Sequence, residues 1–161
     1  MSLITYKKRR NFSKTPEPTA TIGKKSSQPV FVIQKHQASH LHYDLRLEID
    51  GVLKSWAVPK GLSTKNKEKR LAIMTEDHPL AYKDFEGTIP EGEYGAGTVE
   101  IWDAGIYENL QPISMKESLT KGKIQIDFKG EKIKGNYTLI HIKNFQDIKK
   151  DASMWLIIKQ N

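Results

Sequence analysis

Between Leu41 and Ile49 the chain alternates without a break. Leu41, Tyr43, Leu45, Leu47 and Ile49 fall on one parity, and His42, Asp44, Arg46 and Glu48 on the other. Side chains along a strand repeat with period two, so these nine residues predict a strand with one apolar and one polar face. An ordinary half-buried strand carries Lys, Thr and Ser on its wet side. This one carries an imidazole, a carboxylate and a guanidinium, groups that bind a metal and a phosphate, so its polar face reads as a site.

The rest of the chain supplies partners for that strand. From Pro29 onward the β-branched and aromatic content rises, and strand candidates run over 30–35, 41–50, 53–58, 70–76, 97–102, 123–128, 136–142 and 154–159. Turn signals such as Asp50-Gly51, Lys129-Gly130 and Lys134-Gly135 separate them. Only Ile113–Leu119 offers a turn or two of helix. This pattern predicts an all-β fold, a closed β-barrel of about eight strands with a polar interior and little helix. In such a barrel Leu45 and Leu47 pack outward and the His42–Asp44–Arg46 face points inward. Polar interiors must hold water, ions or a ligand, because unpaired buried charge is costly.

At 161 residues the sequence accommodates one domain, with a basic arm over 1–28 and the barrel over 29–161. There is no cysteine, which excludes disulfides, thiolate metal sites and cysteine nucleophiles. No apolar run approaches membrane-spanning length and the charged amino terminus lacks the apolar core of a signal peptide, so a soluble, cytoplasmic protein is expected. The net charge of +7 is concentrated in the first 35 residues, where Lys7, Lys8, Arg9, Arg10, Lys14, Lys24, Lys25 and Lys35 face a single acid, Glu17. Such an arm has the electrostatic footprint of nucleic-acid binding.

His42 and Asp44 project to the same side of the strand, about 6–7 Å apart at the backbone, which lets a ring nitrogen and a carboxylate oxygen converge on one cation. His36 supplies a third ligand if the Gln37–His40 stretch bends back. Two histidines and a carboxylate suit a divalent first-row metal with open positions, such as Mn²⁺, Fe²⁺ or Zn²⁺. His40 reads as a polar loop residue and His141, on the parity of Leu139, as a core histidine. Lys60, Arg70 and His78, together with a metal, would clamp a phosphate, whose transfer depends on positioning and charge neutralisation. The run Phe85–Gly97 is rich in glycine but lacks the Gly-Lys-Ser/Thr of a nucleotide loop, so it reads as a tight turn entering the strand Thr98–Trp102.

Five ordered blocks carry a resemblance. They are Phe31-Val-Ile-Gln-Lys-His36, Leu41-His-Tyr-Asp-Leu-Arg-Leu-Glu48, Gly51-Val-Leu-Lys-Ser-Trp-Ala-Val-Pro-Lys-Gly61, Glu76-Asp-His-Pro-Leu80 and Glu86-Gly-Thr-Ile-Pro-Glu-Gly-Glu-Tyr-Gly-Ala-Gly97. The chain resembles the 3′-phosphoesterase domain of bacterial DNA ligase D, densely over 29–103 and more thinly beyond. With no room for a polymerase or ligase module, the phosphoesterase would stand alone.

The resemblance implies a Mn²⁺-dependent barrel enzyme, with Zn²⁺, Co²⁺ or another divalent first-row metal as substitutes, that trims 3′ ends in non-homologous end joining. It would remove a 3′-terminal ribonucleoside as a phosphodiesterase and then the 3′-phosphate as a phosphomonoesterase, on primer-template DNA. DNA ligase, polymerase or Ku end-joining proteins would be its partners. By motif, His36, His42 and Asp44 would hold the metal, Arg46 and His78 would contact the scissile phosphate, Lys60 and Arg70 would neutralise charge, and Tyr82 would line the site. Arg9, Arg10, Glu17, Lys24 and Lys25 of the leader would meet the nucleic acid. Asn11 stands where that leader is expected to carry Asp, which implies that the monoesterase step dominates. Two other classes stay open on the residues alone, a cupin-like Fe²⁺ oxygenase and a non-catalytic module that binds nucleic-acid ends.

Overall fold

A computed structural model describes residues 3–24, 28–142 and 153–161. A short helix, α1 (Ile4–Lys8), lies in the leader. The strands follow as β1 (Val30–Gln37), β2 (Leu41–Ile49), β3 (Val52–Val58), β4 (Lys69–Met74) and the two-residue β5 (His78–Pro79). A 3₁₀ turn over Leu80–Asp84 leads to β6 (Gly87–Ile89) and the long β7 (Gly97–Asn109). Helix α2 (Met115–Lys121), capped by Ser114, precedes β8 (Lys123–Lys129), β9 (Lys134–His141) and β10 (Ser153–Lys159). No helix among the described residues is long and apolar enough to cross a membrane.

Eight of these strands close an antiparallel barrel in the order β1-β2-β3-β4-β10-β9-β8-β7, with β7 returning to β1. The Asp50-Gly51 turn between β2 and β3 has both residues at positive φ, 52° and 83°, the geometry that a two-residue hairpin favours and that Asp-Gly tolerates. Strand β5 pairs with the start of β3, placing His78 opposite Leu53, and β6 pairs with the start of β7. Both lie outside the closed circuit.

The barrel and its scarcity of helix agree with the sequence, but the interior does not. Phe31, Leu45, Trp56, Ala72, Trp155, Leu139, Ile126 and Tyr107, one from each of the eight strands, belong to one buried apolar cluster. Leu45 and Leu47 therefore point inward, because an interior of eight strands is just wide enough to be filled by side chains and apolar ones fill it most favourably. The polar face of β2 is turned outward. It is still buried, since a second cluster of Tyr6, Leu53, Tyr82, Phe85, Ile89 and Val99 covers this side of the barrel. The leader contributes Tyr6 to that cluster, with Phe12 and Ala20 packed against it, and Thr15 and Glu17 are buried alongside.

Candidate functional site

The outward face of β1, β2 and β3 is built in register. Gln34 pairs with Asp44, His36 with His42, and Arg46 with Ser55, so polar residues from three strands meet side by side. The guanidinium of Arg46 is buried at their centre. Its Nε donates to Gln34 Oε1 at 2.7 Å, its Nη1 to Ser55 Oγ at 2.9 Å, and its Nη2 to Asp44 Oδ2 at 3.4 Å. The ring of Tyr82 lies 4.7 Å beneath it. Gln34 is fixed in turn, its amide donating to the carbonyls of Tyr82 and Phe85 at 2.7 and 3.0 Å. A buried cation held on so many sides keeps one orientation without further ordering cost.

Asp44 joins this guanidinium to two histidines. His36 Nδ1 lies 3.6 Å from Asp44 Oδ2 and His42 Nε2 lies 3.2 Å from Oδ1. On the far side of each ring a backbone carbonyl accepts from the other nitrogen, Gly95 O from His36 Nε2 at 2.8 Å and His40 O from His42 Nδ1 at 3.0 Å. Carbonyl partners of this kind set ring orientation and tautomer at metal sites, leaving the opposite nitrogen for the ion. The donor atoms of His36, His42 and Asp44 all lie within 4.8 Å of one another. Three nitrogen and oxygen donors with carbonyl-oriented rings fit a divalent first-row metal. Burial alone would raise the Asp44 carboxyl, but hydrogen bonds from His36 and His42 and the charge of Arg46 hold it well below the usual carboxylate range. The hydrogen bond to Asp44 raises His42 against the opposing effect of burial.

The leader closes the other side. Arg10 donates to Glu17 Oε2 and Glu76 Oε1, both at 2.9 Å, and its Nη2 stands 3.5 Å from His78 Nε2. Glu17 also accepts from Tyr82 OH at 2.7 Å and Thr15 Oγ1 at 2.9 Å. Burial opposes the charge on Arg10, and Glu17 with Glu76 more than offsets it, so its pKa is raised. His78 is pushed well below the ordinary imidazole range by burial and by the charges of Arg46 and Arg10. Its Nδ1 lies 3.0 Å from the carbonyl of Glu76, which can only accept, so Nδ1 carries the hydrogen and Nε2 is bare.

These groups surround an open cleft of about 240 Å³, lined by Arg10, Glu17, His36, His42, Asp44, Arg46, His78 and Tyr82 among the residues expected from sequence. Lys60 and Arg70 are brought together, but elsewhere. They line a separate depression with Pro59, Glu68, Lys69 and Leu71, where Arg70 donates to the Lys60 carbonyl at 2.7 Å and to Glu68 at 3.0 Å. Arg9 sits at the cleft rim, paired with Glu76 and donating to Tyr94 OH at 2.8 Å. Lys24 is exposed, and Lys25 falls outside the described residues. Asn11 is exposed and its side-chain oxygen accepts from Ser13 N and Oγ at 3.1 and 2.6 Å. His141 is half-buried with its ring 5.1 Å from Trp155.

Sequence reasoning missed Gln34, Ser55, Glu76 and Tyr94. Gln34 had a signal, an amide on the parity of His36 within the apolar run Phe31-Val-Ile. Glu76 had one too, two residues before His78. Tyr94 lies in the glycine-rich run that reads as a tight turn. That stretch does turn into β7, and a Cβ at Gly97 would stand 2.1 Å from Gln37 O, so only glycine fits there.

Residues 34–141 match the family described as the DNA Ligase D 3′-phosphoesterase domain. Over 159 residues the chain is 45% identical to the multifunctional non-homologous end joining protein LigD of Pseudomonas aeruginosa, an alignment that covers 98% of this chain and 18% of that protein. It is 50% identical over 147 residues to the protein of the same name from Mycolicibacterium smegmatis, covering 88% of this chain and 19% of the relative. The LigD non-homologous end joining DNA repair protein of Mycobacterium tuberculosis is 48% identical over 144 residues, covering 86% and 18%. The chain thus spans less than a fifth of the length of these relatives.

Proposed function

We propose, for a chain that belongs to the DNA ligase D 3′-phosphoesterase domain family, hydrolysis of phosphate esters at the 3′ ends of nucleic acids, leaving a 3′-hydroxyl for end joining. The substrates in this reading are primer-template DNAs ending in a ribonucleotide or a 3′-phosphate, and the cofactor is Mn²⁺ or another divalent first-row ion held by His36, His42 and Asp44. One observation carries the reading: a nitrogen–oxygen donor trio and two guanidinium groups, Arg46 and Arg10, share one cleft. A metal site alone suits many reactions. A metal site flanked by two guanidinium groups suits a phosphate.

A bound divalent ion supplies Lewis-acid charge withdrawal from the phosphate. Arg46 binds a non-bridging oxygen and, being already fixed by Gln34, Ser55 and Tyr82, does so without reorganisation. In each step a water oxygen forms the new P–O bond. The bond to the 5′-oxygen of the terminal ribonucleoside breaks in the diesterase step and the bond to the 3′-oxygen in the monoesterase step, and the water proton ends on the leaving oxygen. His78, neutral and bare at Nε2, suits the carriage of that proton. Glu17, Glu76 and Tyr82 hold Arg10 and Arg46 in place. Lys60, Arg70, Lys24 and Arg9 lie beyond the cleft lining, and in this reading they meet backbone phosphates away from the reacting one. Residues 1–28 and 29–161 then act as one working unit, the arm completing a site that the barrel begins. Ligase, polymerase and Ku proteins are the expected partners, a reading supported by the end-joining names of the relatives.

The test is to incubate labelled primer-templates carrying a 3′-ribonucleotide or a 3′-phosphate with Mn²⁺, Zn²⁺ or EDTA and resolve the products. Nucleoside and phosphate release with metal, and none with EDTA, is the expected result. Binding of the same ends without release under any metal would replace the enzyme with an end-binding module.

A further inference from the structure

The cleft is small, and a phosphate together with its coordinating groups would fill much of it. The rest of a 3′-terminal nucleotide must therefore lie across the rim. Of the described residues that line the cleft, Tyr94 is the one large hydrophobic side chain that is exposed, at 47%. Its position is built. The turn before it is closed by Pro90 O accepting from Glu93 N at 3.2 Å, and the turn that contains it by Glu93 O accepting from Ala96 N at 3.1 Å. The next residue, Gly95, supplies the carbonyl that orients His36. The phenol oxygen accepts from Arg9 at 2.8 Å, and the guanidinium groups of Arg9 and Arg10 lie 4.8 and 5.4 Å from the ring centroid. A half-exposed aromatic ring, oriented beside cations at the edge of a phosphate-sized cleft, is the arrangement on which nucleobases stack.

We propose that Tyr94 is the stacking platform for the nucleobase of the 3′-terminal nucleotide. The inference rests on the cleft taking that nucleotide's phosphate, as proposed above. Stacking on an aromatic face tolerates all four bases, so Tyr94 supplies affinity for a base-bearing end without reading its sequence. It also gives a function to the glycine-rich run, which carries the ring on the same loop that orients a metal-ligand histidine.

The experiment compares two primer-templates that differ only at the last sugar, one bearing adenine and a 3′-phosphate, the other an abasic sugar with a 3′-phosphate. Dissociation constants are read by fluorescence anisotropy, which needs no turnover, and phosphate release is followed in parallel. The wild-type protein is expected to bind the adenine end about tenfold more tightly than the abasic end. Tyr94→Leu brings that ratio close to one, whereas Tyr94→Trp keeps or increases it. A ratio near one in the wild type, or a tenfold ratio that persists in Tyr94→Leu, overturns the proposal. A collapsed loop that disturbs His36 weakens both ends alike and leaves the ratio untouched, so it counts against stacking. Absence of phosphate release from either end tells against the phosphoesterase reading instead, while the binding ratio still decides the role of Tyr94.

Discussion

Asp44 Oδ2 and Arg46 Nη2 stand 3.4 Å apart, two residues along one strand, so a single carboxylate serves both the histidine pair and the buried guanidinium. The trio of His36, His42 and Asp44, proposed to hold the metal, and the guanidinium proposed to bind phosphate are thereby locked to each other. Arg46→Lys keeps the charge but loses the fork that reaches Gln34 and Ser55 together. The expected outcome is a fall in kcat of about a hundredfold or more. Unfolding stability should also drop by about 1–3 kcal/mol, as the Gln34 carbonyl oxygen is left unpaired. Steady-state kinetics and urea titration read the two effects separately, and a Lys variant with wild-type kcat would remove Arg46 from phosphate binding.

The trio of His36, His42 and Asp44 makes a prediction that does not depend on turnover. Metal that binds only the folded chain stabilises it by about 2.7 kcal/mol at a hundredfold excess over Kd. Titrating Mn²⁺ into the metal-free protein should therefore raise Tm, and His42→Ala or Asp44→Ala should abolish the rise. Lys60→Ala, in the separate depression, should preserve it. A Tm response that survives Asp44→Ala would move the metal elsewhere.

Much of this site was legible in the chain. Strand parity put His42, Asp44 and Arg46 on one face, and the register of β1 against β2 then brings His36 opposite His42. Parity cannot say which face is inside. Both faces of β2 are buried here, one by the barrel core and one by the leader and the second cluster, so the expectation of a polar barrel interior assigned the His42–Asp44–Arg46 face to the wrong side. The docking of the leader was not legible for a related reason. Its composition reads as a basic arm, and Arg10 and Glu17 are engaged by Glu76 and Tyr82, which lie about 65 residues away in sequence, beyond the reach of any local pattern.

That engagement predicts a stability effect for Glu17, whose buried carboxylate accepts from Arg10, Tyr82 and Thr15. Glu17→Ala leaves three donors without their acceptor, although Arg10 retains Glu76. A loss of about 3 kcal/mol is expected from breaking a buried pair by removing one partner. Glu17→Gln, which can still accept from part of the set, should lose less. Chemical denaturation of the two variants checks the order, and a Glu17→Ala protein as stable as wild type would show that the leader docks without this network.

His78 carries the pH prediction. Burial, Arg46 and Arg10 lower its pKa, while the Glu76 carbonyl and Asp44 work in the other direction without prevailing. Tyr6 and Tyr82 enclose the ring at centroid distances of 5.2 and 4.7 Å, and Ser55 Oγ lies 3.4 Å from Nδ1. A histidine whose folded pKa is depressed stays neutral in the folded chain but takes up a proton in the unfolded chain below about 6.5. The unfolded state then binds more protons, so stability is full above that pH and falls as pH drops toward the folded pKa. The slope from this group is at most about 1.4 kcal/mol per pH unit. His42, with its raised pKa, contributes in the opposite sense, so the measurement must be a difference. Urea midpoints of the metal-free protein at pH 7.5 and 5.5, compared with those of His78→Asn, isolate the contribution of His78. Asn retains a donor for the Glu76 carbonyl but cannot be protonated, so the variant should lose less stability on acidification than wild type. Equal losses would mean that His78 takes up its proton in the folded chain as readily as in the unfolded one, and that its neutral, proton-accepting state in the cleft is wrong.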